Sequence, residues 1–461
     1  MNIMGLVVLL LGLVLVVMVI VSLYLRTQTI KSTMQQENEV VVQEDSIEPV
    51  VREGGEDFIA YLPLEGVGDI AVRVVVPDEP RYVKGTPVVI EIPTFFTPTD
   101  TFGYFTDLTK EGVIHLSYLY PGRTDKQSGV SSEGENDYGG DNSVAATNLV
   151  VQFALGNATD SDGYLLDELI EMNVLSTNVG LYAFSHPGIM AYKTLSMYAD
   201  ELQEVDYLVG RENPTIPEIN AMELGFYAED SEVNISVYNP LYKYPEHYTP
   251  TKFTYDVGLV RYDANNEVPY FDINENGSFE QITDYRFPSF GPTLYGKRYF
   301  SVRVLEAMRQ TEGFTDATWP ETIATPEESQ EVWKERQAVP YFSTLPEELK
   351  VLLVFGEEDH VQPTFDKPNV HQAYDGVTAR GLWVRLNPDR AYVLELLEKK
   401  AIDIYSDYEA YDEPDDWSYA YEWGYASSLP GVQMGSAGIL EMADRTQLDN
   451  WEVDLDGVLV E

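Results

Sequence analysis

A serine hydroxyl attacks a carbonyl only if the chain holds it clear of its own backbone and a base removes its proton. In the run Val179-Gly-Leu-Tyr-Ala-Phe-Ser185-His-Pro-Gly188, an apolar, strand-forming stretch stops at Ser185, and a proline and a glycine follow. Ile189 to Ala199 then reads as a helix. A strand that turns sharply into a helix at a serine exposes the side chain at the turn. The next backbone N–H groups then point to where an oxyanion would form. The same residues also suit a plain helix cap, with Pro187 in the first turn, where its missing N–H costs nothing. The surrounding elements must decide between the two.

Those elements alternate. Asp69 to Val76, Pro87 to Pro93 and Gly112 to Tyr120 read as strands, and Asp141 to Leu155 has helical periodicity. After the strand that ends at Ser185, two further apolar strands are expected at Leu349 to Phe355 and Gly381 to Leu386. A helical segment around Val370 to Tyr374 lies between them. Several of these strands are apolar throughout, the pattern of a mainly parallel sheet covered by helices on both faces.

With its serine turn, and with Gly356-Glu-Glu-Asp359-His-Val-Gln-Pro363 following an apolar strand, the chain resembles the α/β-hydrolase fold. It is nearest in pattern to the peptidase and dienelactone-hydrolase-like branches, over Phe58 to Ala199 and Leu345 to Lys400. The resemblance implies Ser185 as nucleophile and Asp359 as the acid that orients the base. It places one oxyanion donor at His186 and the second at Thr94 or Phe95, within Pro93-Thr-Phe-Phe-Thr-Pro98.

The family's base is a histidine in the loop after the last strand. Here that loop is Asn387-Pro-Asp-Arg-Ala-Tyr392, without histidine, and none of the five histidines follows His371. His371, on the helical segment before that strand, is the expected substitute. His360 is the second candidate, although the adjacent Asp359 could hardly orient it. His115, mid-strand, and His247 read as structural. Pro187 also departs from the family, which favours a small residue two places after the nucleophile.

Residues 204–342 are more than the sheet needs and read as an insertion, a lid or a small domain, either mixed or β-rich. Within it, Asp272, Asn274, Asn276 and Ser278 alternate before and after the turn at Gly277, with Asp284 beyond. Oxygen side chains at every second position match the first half of a calcium loop, and a structural Ca²⁺ is the expected ligand. Asx-Gly turns imitate the pattern. No cofactor is expected for catalysis. The expected domains are an anchor at 3–25, a tether at 26–57 and a core at 58–203, resumed at 343–400. An acidic, aromatic extension that hugs the surface follows at 401–461.

The 77 Asp and Glu exceed the 29 Lys and Arg, a formal charge of −48. That excludes nucleic-acid binding by phosphate neutralisation. With no cysteine, disulfides and thiolate chemistry are excluded too. Residues 3–25 form an uncharged apolar run long enough to span a bilayer, without a cleavage site behind it. Arg26 and Lys31 flank it on the C-terminal side and argue for a cytoplasmic soluble part. The sequons at Asn157, Asn234 and Asn276 argue for export, and an extracytoplasmic face is the expectation retained. The sequence thus points to a membrane-anchored serine hydrolase of small esters or peptides. The alternative is an inactive relative that keeps the fold for binding.

The acidic excess generates one test that needs no site. Raising ionic strength from about 0.01 M to 1 M shortens the Debye length from roughly 30 Å to 3 Å and removes most long-range repulsion. The melting temperature of the soluble part should therefore climb steadily with KCl. A flat or falling profile would show that native ion pairs outweigh the net repulsion.

Overall fold

Three strands of the central sheet are buried along their whole length: Thr86–Glu91, Ile114–Tyr118 and Tyr207–Arg211. Strands of this kind need cover on both faces. The computed structural model describes residues 57–94, 102, 108–216, 226–230, 235–238, 246–249, 252–254, 256–280, 283–287, 290–311, 314–356, 367–398 and 431–451. The chain divides into two units. Met1–Glu53 with Glu229–Ile235 form one, of which only residues 229, 230 and 235 are described; Gly54–Ala228 with Ser236–Glu461 form the other.

The main sheet has eight strands: β1 (Asp57–Leu64), β2 (Gly68–Val75), β3 (Thr86–Glu91), β4 (Ile114–Tyr118), β5 (Val174–Phe184), β6 (Tyr207–Arg211), β7 (Lys350–Val354) and β8 (Trp383–Leu386). Their spatial order is β1-β2-β4-β3-β5-β6-β7-β8. Strand β2 is antiparallel to both β1 and β4, and every other pairing is parallel. The mainly parallel sheet expected from the apolar runs is therefore present. The edge hairpin β1–β2 adds a strand that begins at Asp57, where the tether was expected to end.

Alternate side chains feed two cores. Val88, Ile90, Leu181, Ala183 and Leu208 face α1 (Asp141–Ala154), α2 (Pro187–Met197) and α3 (Pro368–Arg380). Val89, Tyr182, Val209 and Leu352 face α4 (Arg390–Glu398) and α5 (Gly431–Leu448). Residues 401–430, with most of the acidic aromatic run, lie outside the described residues. Helix α5 is no surface extension: it covers one face of the sheet. Its small residues permit the approach. A Cβ on Gly438 would lie 2.9 Å from Leu352 Cδ2, and one on Gly435 would lie 2.7 Å from the Tyr182 hydroxyl.

A buried charge fixes α5 in place. The carboxylate of Asp444, fully buried, accepts Nε and Nη2 of Arg81, each at 2.7 Å. It also accepts the hydroxyls of Tyr82 at 2.7 Å and Tyr392 at 2.6 Å. Burial, and then the carboxylate itself, push both phenols well above their ordinary pKa, so both remain donors. Asn178 Nδ2 donates to the Ala443 carbonyl beside them at 2.8 Å.

Between β6 and β7 the chain builds a smaller antiparallel sheet. Val260–Asp263, Val268–Phe271 and Tyr285–Arg286 pair in turn, and Arg286 stands opposite Phe226. Phe271, Phe287, Phe300, Val304 and Met308 form its core. Helices Val302–Gln310 and Pro326–Glu335 follow this sheet along the chain. Arg336, almost wholly buried, ties the insertion to the main sheet's loops: Nε donates to the Tyr138 carbonyl at 3.0 Å. Among the described residues no helix is long and apolar enough to cross a membrane; the expected anchor at 3–25 lies outside them.

Removing one partner of a buried pair leaves the other charge uncompensated, at a cost of about 3–5 kcal/mol. Asp444→Ala should lower stability by about that much in urea unfolding. The double variant Arg81→Met/Asp444→Leu should recover only part of the loss, because the Tyr82 and Tyr392 hydroxyls still lose their acceptor. A loss below about 1 kcal/mol would mean that α5 is held by apolar packing alone.

Candidate functional site

Strand β5 ends at Phe184, level with Arg211 at the end of β6. Ser185 follows with φ of +66°, in the left-handed region that side chains rarely adopt. Its N–H donates to the Arg211 carbonyl at 2.8 Å, so the turn begins as an extension of the β5–β6 ladder. Its own carbonyl accepts Gly188 N–H at 3.0 Å and Asn213 Nδ2 at 2.8 Å. His186 is already helical, and α2 starts at Pro187. A residue that merely caps a helix takes extended backbone. Ser185 does not.

The Ser185 hydroxyl, half-buried, lies 3.4 Å from Nδ1 of His186. Thr94, half-buried, follows β3, whose pairing continues as Ile92 N–H donates to the Tyr182 carbonyl at 3.0 Å. Phe95, Asp359 and His360 lie outside the described residues. His371 sits in the first turn of α3 and donates its N–H to the Lys367 carbonyl at 3.0 Å. That turn is fastened to the loop after β6, because Asn369 Oδ1 accepts Thr215 N–H at 2.9 Å. Burial lowers the pKa of His371, against the opposing charge of Asp375, so the imidazole is neutral near pH 7.

The loop after β8 is built for other work. Asn387, at φ +60°, donates its N–H to the Leu353 carbonyl at 2.8 Å and accepts Phe355 N–H at 2.9 Å. Asp389 caps α4, its Oδ1 accepting Ala391 N–H at 2.9 Å and Tyr392 N–H at 3.2 Å. Its own N–H donates to Glu441 Oε2 at 2.6 Å, and Arg445 Nε donates to Glu441 Oε1 at 2.8 Å. The slot is filled by structural bonds.

Eight strands in this order, one of them reversed near an edge, carry a left-handed serine where the central strand turns into a helix. The protein has an α/β-hydrolase fold. No protein-family model and no curated protein matches the sequence. Among solved structures, the chain is similar to an acylaminoacyl peptidase from Pyrococcus horikoshii, with 9% identity and a TM-score of 0.36, covering 72% of this chain and 37% of that one. A dipeptidyl peptidase 4 from Porphyromonas gingivalis matches with 9% identity and a TM-score of 0.35, covering 72% and 31%. An esterase from Pyrobaculum calidifontis matches with 13% identity and a TM-score of 0.34, covering 77% and 81%. The chain spans about a third of the length of the two peptidases. The fold assignment rests on strand order and the serine turn.

Several polar residues of this α/β-hydrolase fold near the serine went unread in the sequence. The Arg211 guanidinium lies 4.2 Å over the Phe184 ring, and its Nε is 3.5 Å from Glu212. Glu212, buried at φ +50°, donates its N–H to the Val354 carbonyl at 2.9 Å. The run Arg211-Glu212-Asn213, straight after an apolar strand, was the available signal. His115 is structural, as expected: Nε2 stands 3.1 Å from the buried Glu91 carboxylate. It is level with Val89 and hence with Gly180, five residues short of the serine. Among the described residues, clefts of about 510 and 480 Å³ lie at Tyr61, Asp69 and Glu133, and at Ser196 and Arg380 by the last turn of α2.

The loop read as a calcium site folds on its own amides. Asp272, almost fully buried, accepts Asn276 N–H at 3.1 Å and Gly277 N–H at 2.8 Å. Asn274 accepts Asn276 N–H at 3.1 Å, and Asn276 accepts Ser278 N–H at 2.8 Å. Asp284 accepts the amides of Ile273 at 3.2 Å and Glu280 at 2.8 Å. Among the described residues no group of three His, Asp or Glu could hold a metal. The oxygens read as ligands thus have the loop's own N–H groups as partners.

Carboxylate caps of this type are worth about 1.5–3 kcal/mol. Asp272→Ala should therefore destabilise by about 2 kcal/mol, equally in chelator and in millimolar Ca²⁺. A loss that appears only with Ca²⁺ present would restore the calcium reading.

Proposed function

We propose that the protein is a serine hydrolase of small esters or peptides, with Ser185 Oγ as the nucleophile. The observation that carries the reading is the φ of +66° at Ser185. Holding a non-glycine residue there costs about 1–3 kcal/mol, and at Ser185 that cost falls where the central strand turns into a helix. The residue stands at the carboxyl ends of parallel strands, where open α/β sheets bind ligands.

In this reading His371, kept neutral by burial, takes the hydroxyl proton as Oγ bonds to the substrate carbonyl carbon. Asp359 orients the imidazole. The N–H of His186, with a donor at Thr94 or Phe95, receives the oxyanion. When the tetrahedral intermediate collapses, the imidazolium returns the proton to the leaving alcohol or amine, and an acyl group stays on Ser185. Water, deprotonated by the same base, then releases the acid and restores the hydroxyl. The insertion leaves the sheet at the end of β6, beside the serine, and serves as the lid that selects substrate. An anchor at residues 3–25, with the folded part outside the cytoplasm, belongs to the same reading.

A second reading has its own support. The bonds that occupy Asn387 and Asp389 suit a relative that has given up the usual base and binds without turning over.

A fluorophosphonate probe separates the two. It should label the folded protein once per chain, and Ser185→Ala should abolish labelling. His371→Ala should slow labelling by about 10²-fold or more. Because the base acts only when neutral and its pKa is lowered, the rate should reach half its plateau below pH 6.5. Folded protein that stays unlabelled at both low and molar salt would favour the binding reading.

A further inference from the structure

Asn213 lies two residues beyond β6, is buried, and has no part in the mechanism above. Its side-chain amide is unusually engaged. Nδ2 donates to three backbone carbonyls at once: Ala183 at 2.8 Å, Ser185 at 2.8 Å and Arg211 at 2.9 Å. These three carbonyls belong to the strand before the serine, to the serine itself, and to the residue that accepts the serine N–H. An amide nitrogen carries two hydrogens, so the three bonds share them in bifurcated form. On the other side of the amide, Oδ1 has no hydrogen-bond partner among the described residues. It faces two glycines. A Cβ on Gly210 would lie 2.3 Å from Oδ1, and one on Gly188 would lie 2.3 Å from Cγ.

We infer that Asn213 is the positioning residue of the serine turn, the group that holds Ser185 in its left-handed conformation. The N–H bond to Arg211 fixes where the turn starts, and the Ser185 carbonyl is held from two sides, by Gly188 N–H at 3.0 Å and by Asn213 Nδ2 at 2.8 Å. Relaxing φ from +66° to the ordinary helical region rotates that peptide and would carry the carbonyl off Nδ2. The bond to Ser185 therefore opposes the relaxation directly, while those to Ala183 and Arg211 brace the amide against both strands. Gly188 and Gly210 complete the device. Any side chain at either place would push the amide away, which explains a glycine three residues after the serine and another one before the end of β6.

The kinetic part rests on the reading of Ser185 as nucleophile; the conformational part does not. The fluorophosphonate rate constant and the labelled fraction are measured for wild type, Asn213→Ala, Gly188→Ala and the double variant. In each single variant the rate constant should fall tenfold or more while one label per chain is still reached. Partial unfolding alone would instead lower the labelled fraction at an unchanged rate. Because Asn213→Ala opens the space that Gly188→Ala fills, the double variant should be no slower than the worse single one. An unchanged rate constant in both single variants overturns the inference. Should Asn213→Ala fail to fold, Gly188→Ala alone carries the kinetic comparison.

If the wild type takes no label, unfolding midpoints of Ser185→Gly variants decide the matter. Glycine relieves the left-handed strain, so it should raise the midpoint in the otherwise wild-type chain. With Asn213→Ala, or with Gly188→Ala, Ser185 is free to relax and the gain should shrink or vanish. An equal gain in all backgrounds would show that Asn213 does not hold the turn. That result would overturn the inference whatever Ser185 does chemically.

Discussion

The hydrogen bond from Ser185 N–H to the Arg211 carbonyl is the interaction on which the site depends. It exists because β5 and β6 end in register, Phe184 against Arg211. That register follows from two strands whose alternate residues fill both cores, since a one-residue slip would turn every apolar side chain to the wrong face. The turn is therefore sustained by the whole sheet. Similar left-handed residues follow β6, at Glu212, and β8, at Asn387. Each donates its N–H across to β7, so the carboxyl edge is stitched strand to strand.

Charge is distributed on a compatible plan. Basic residues are few, and the structure buries several of them: Arg81 against Asp444, Arg445 against Glu441, and Arg336 among backbone carbonyls. Arg81 ties α5 to the core, Arg445 and Glu441, both on α5, meet Asp389 at the start of α4, and Arg336 ties the insertion. The carboxylates in excess repel one another at low ionic strength. Buried pairs are screened far less by salt than exposed ones. Salt should accordingly relieve the surface without loosening the ties.

Much of the scaffold was legible because parallel strands announce themselves as short apolar runs. The segments at Pro87, Gly112, Leu349 and Gly381 fell within a few residues of β3, β4, β7 and β8. The serine turn was legible for the same reason, as a run stopped by Ser185-His-Pro-Gly. Helix α5 was not. Its Gly and Ala residues carry little apolar signal, and only the closeness of Tyr182 and Leu352 makes them a packing face. The loop at Asp272 is ambiguous in sequence because Asx turns and the first half of a calcium loop share one spacing. Asn213 was legible only as part of a polar run closing an apolar strand, since nothing in its neighbours along the chain says that three carbonyls converge on it.

The central claim is that a strained turn presents Ser185 Oγ to substrate with an N–H donor beside it. A crystal structure of the phosphonate adduct tests it most directly. The account predicts phosphorus bonded to Ser185 Oγ, φ of that residue still near +66°, and the phosphonyl oxygen within hydrogen-bond distance of His186 N–H. An adduct on another residue, or a Ser185 relaxed into ordinary helical backbone, would contradict it.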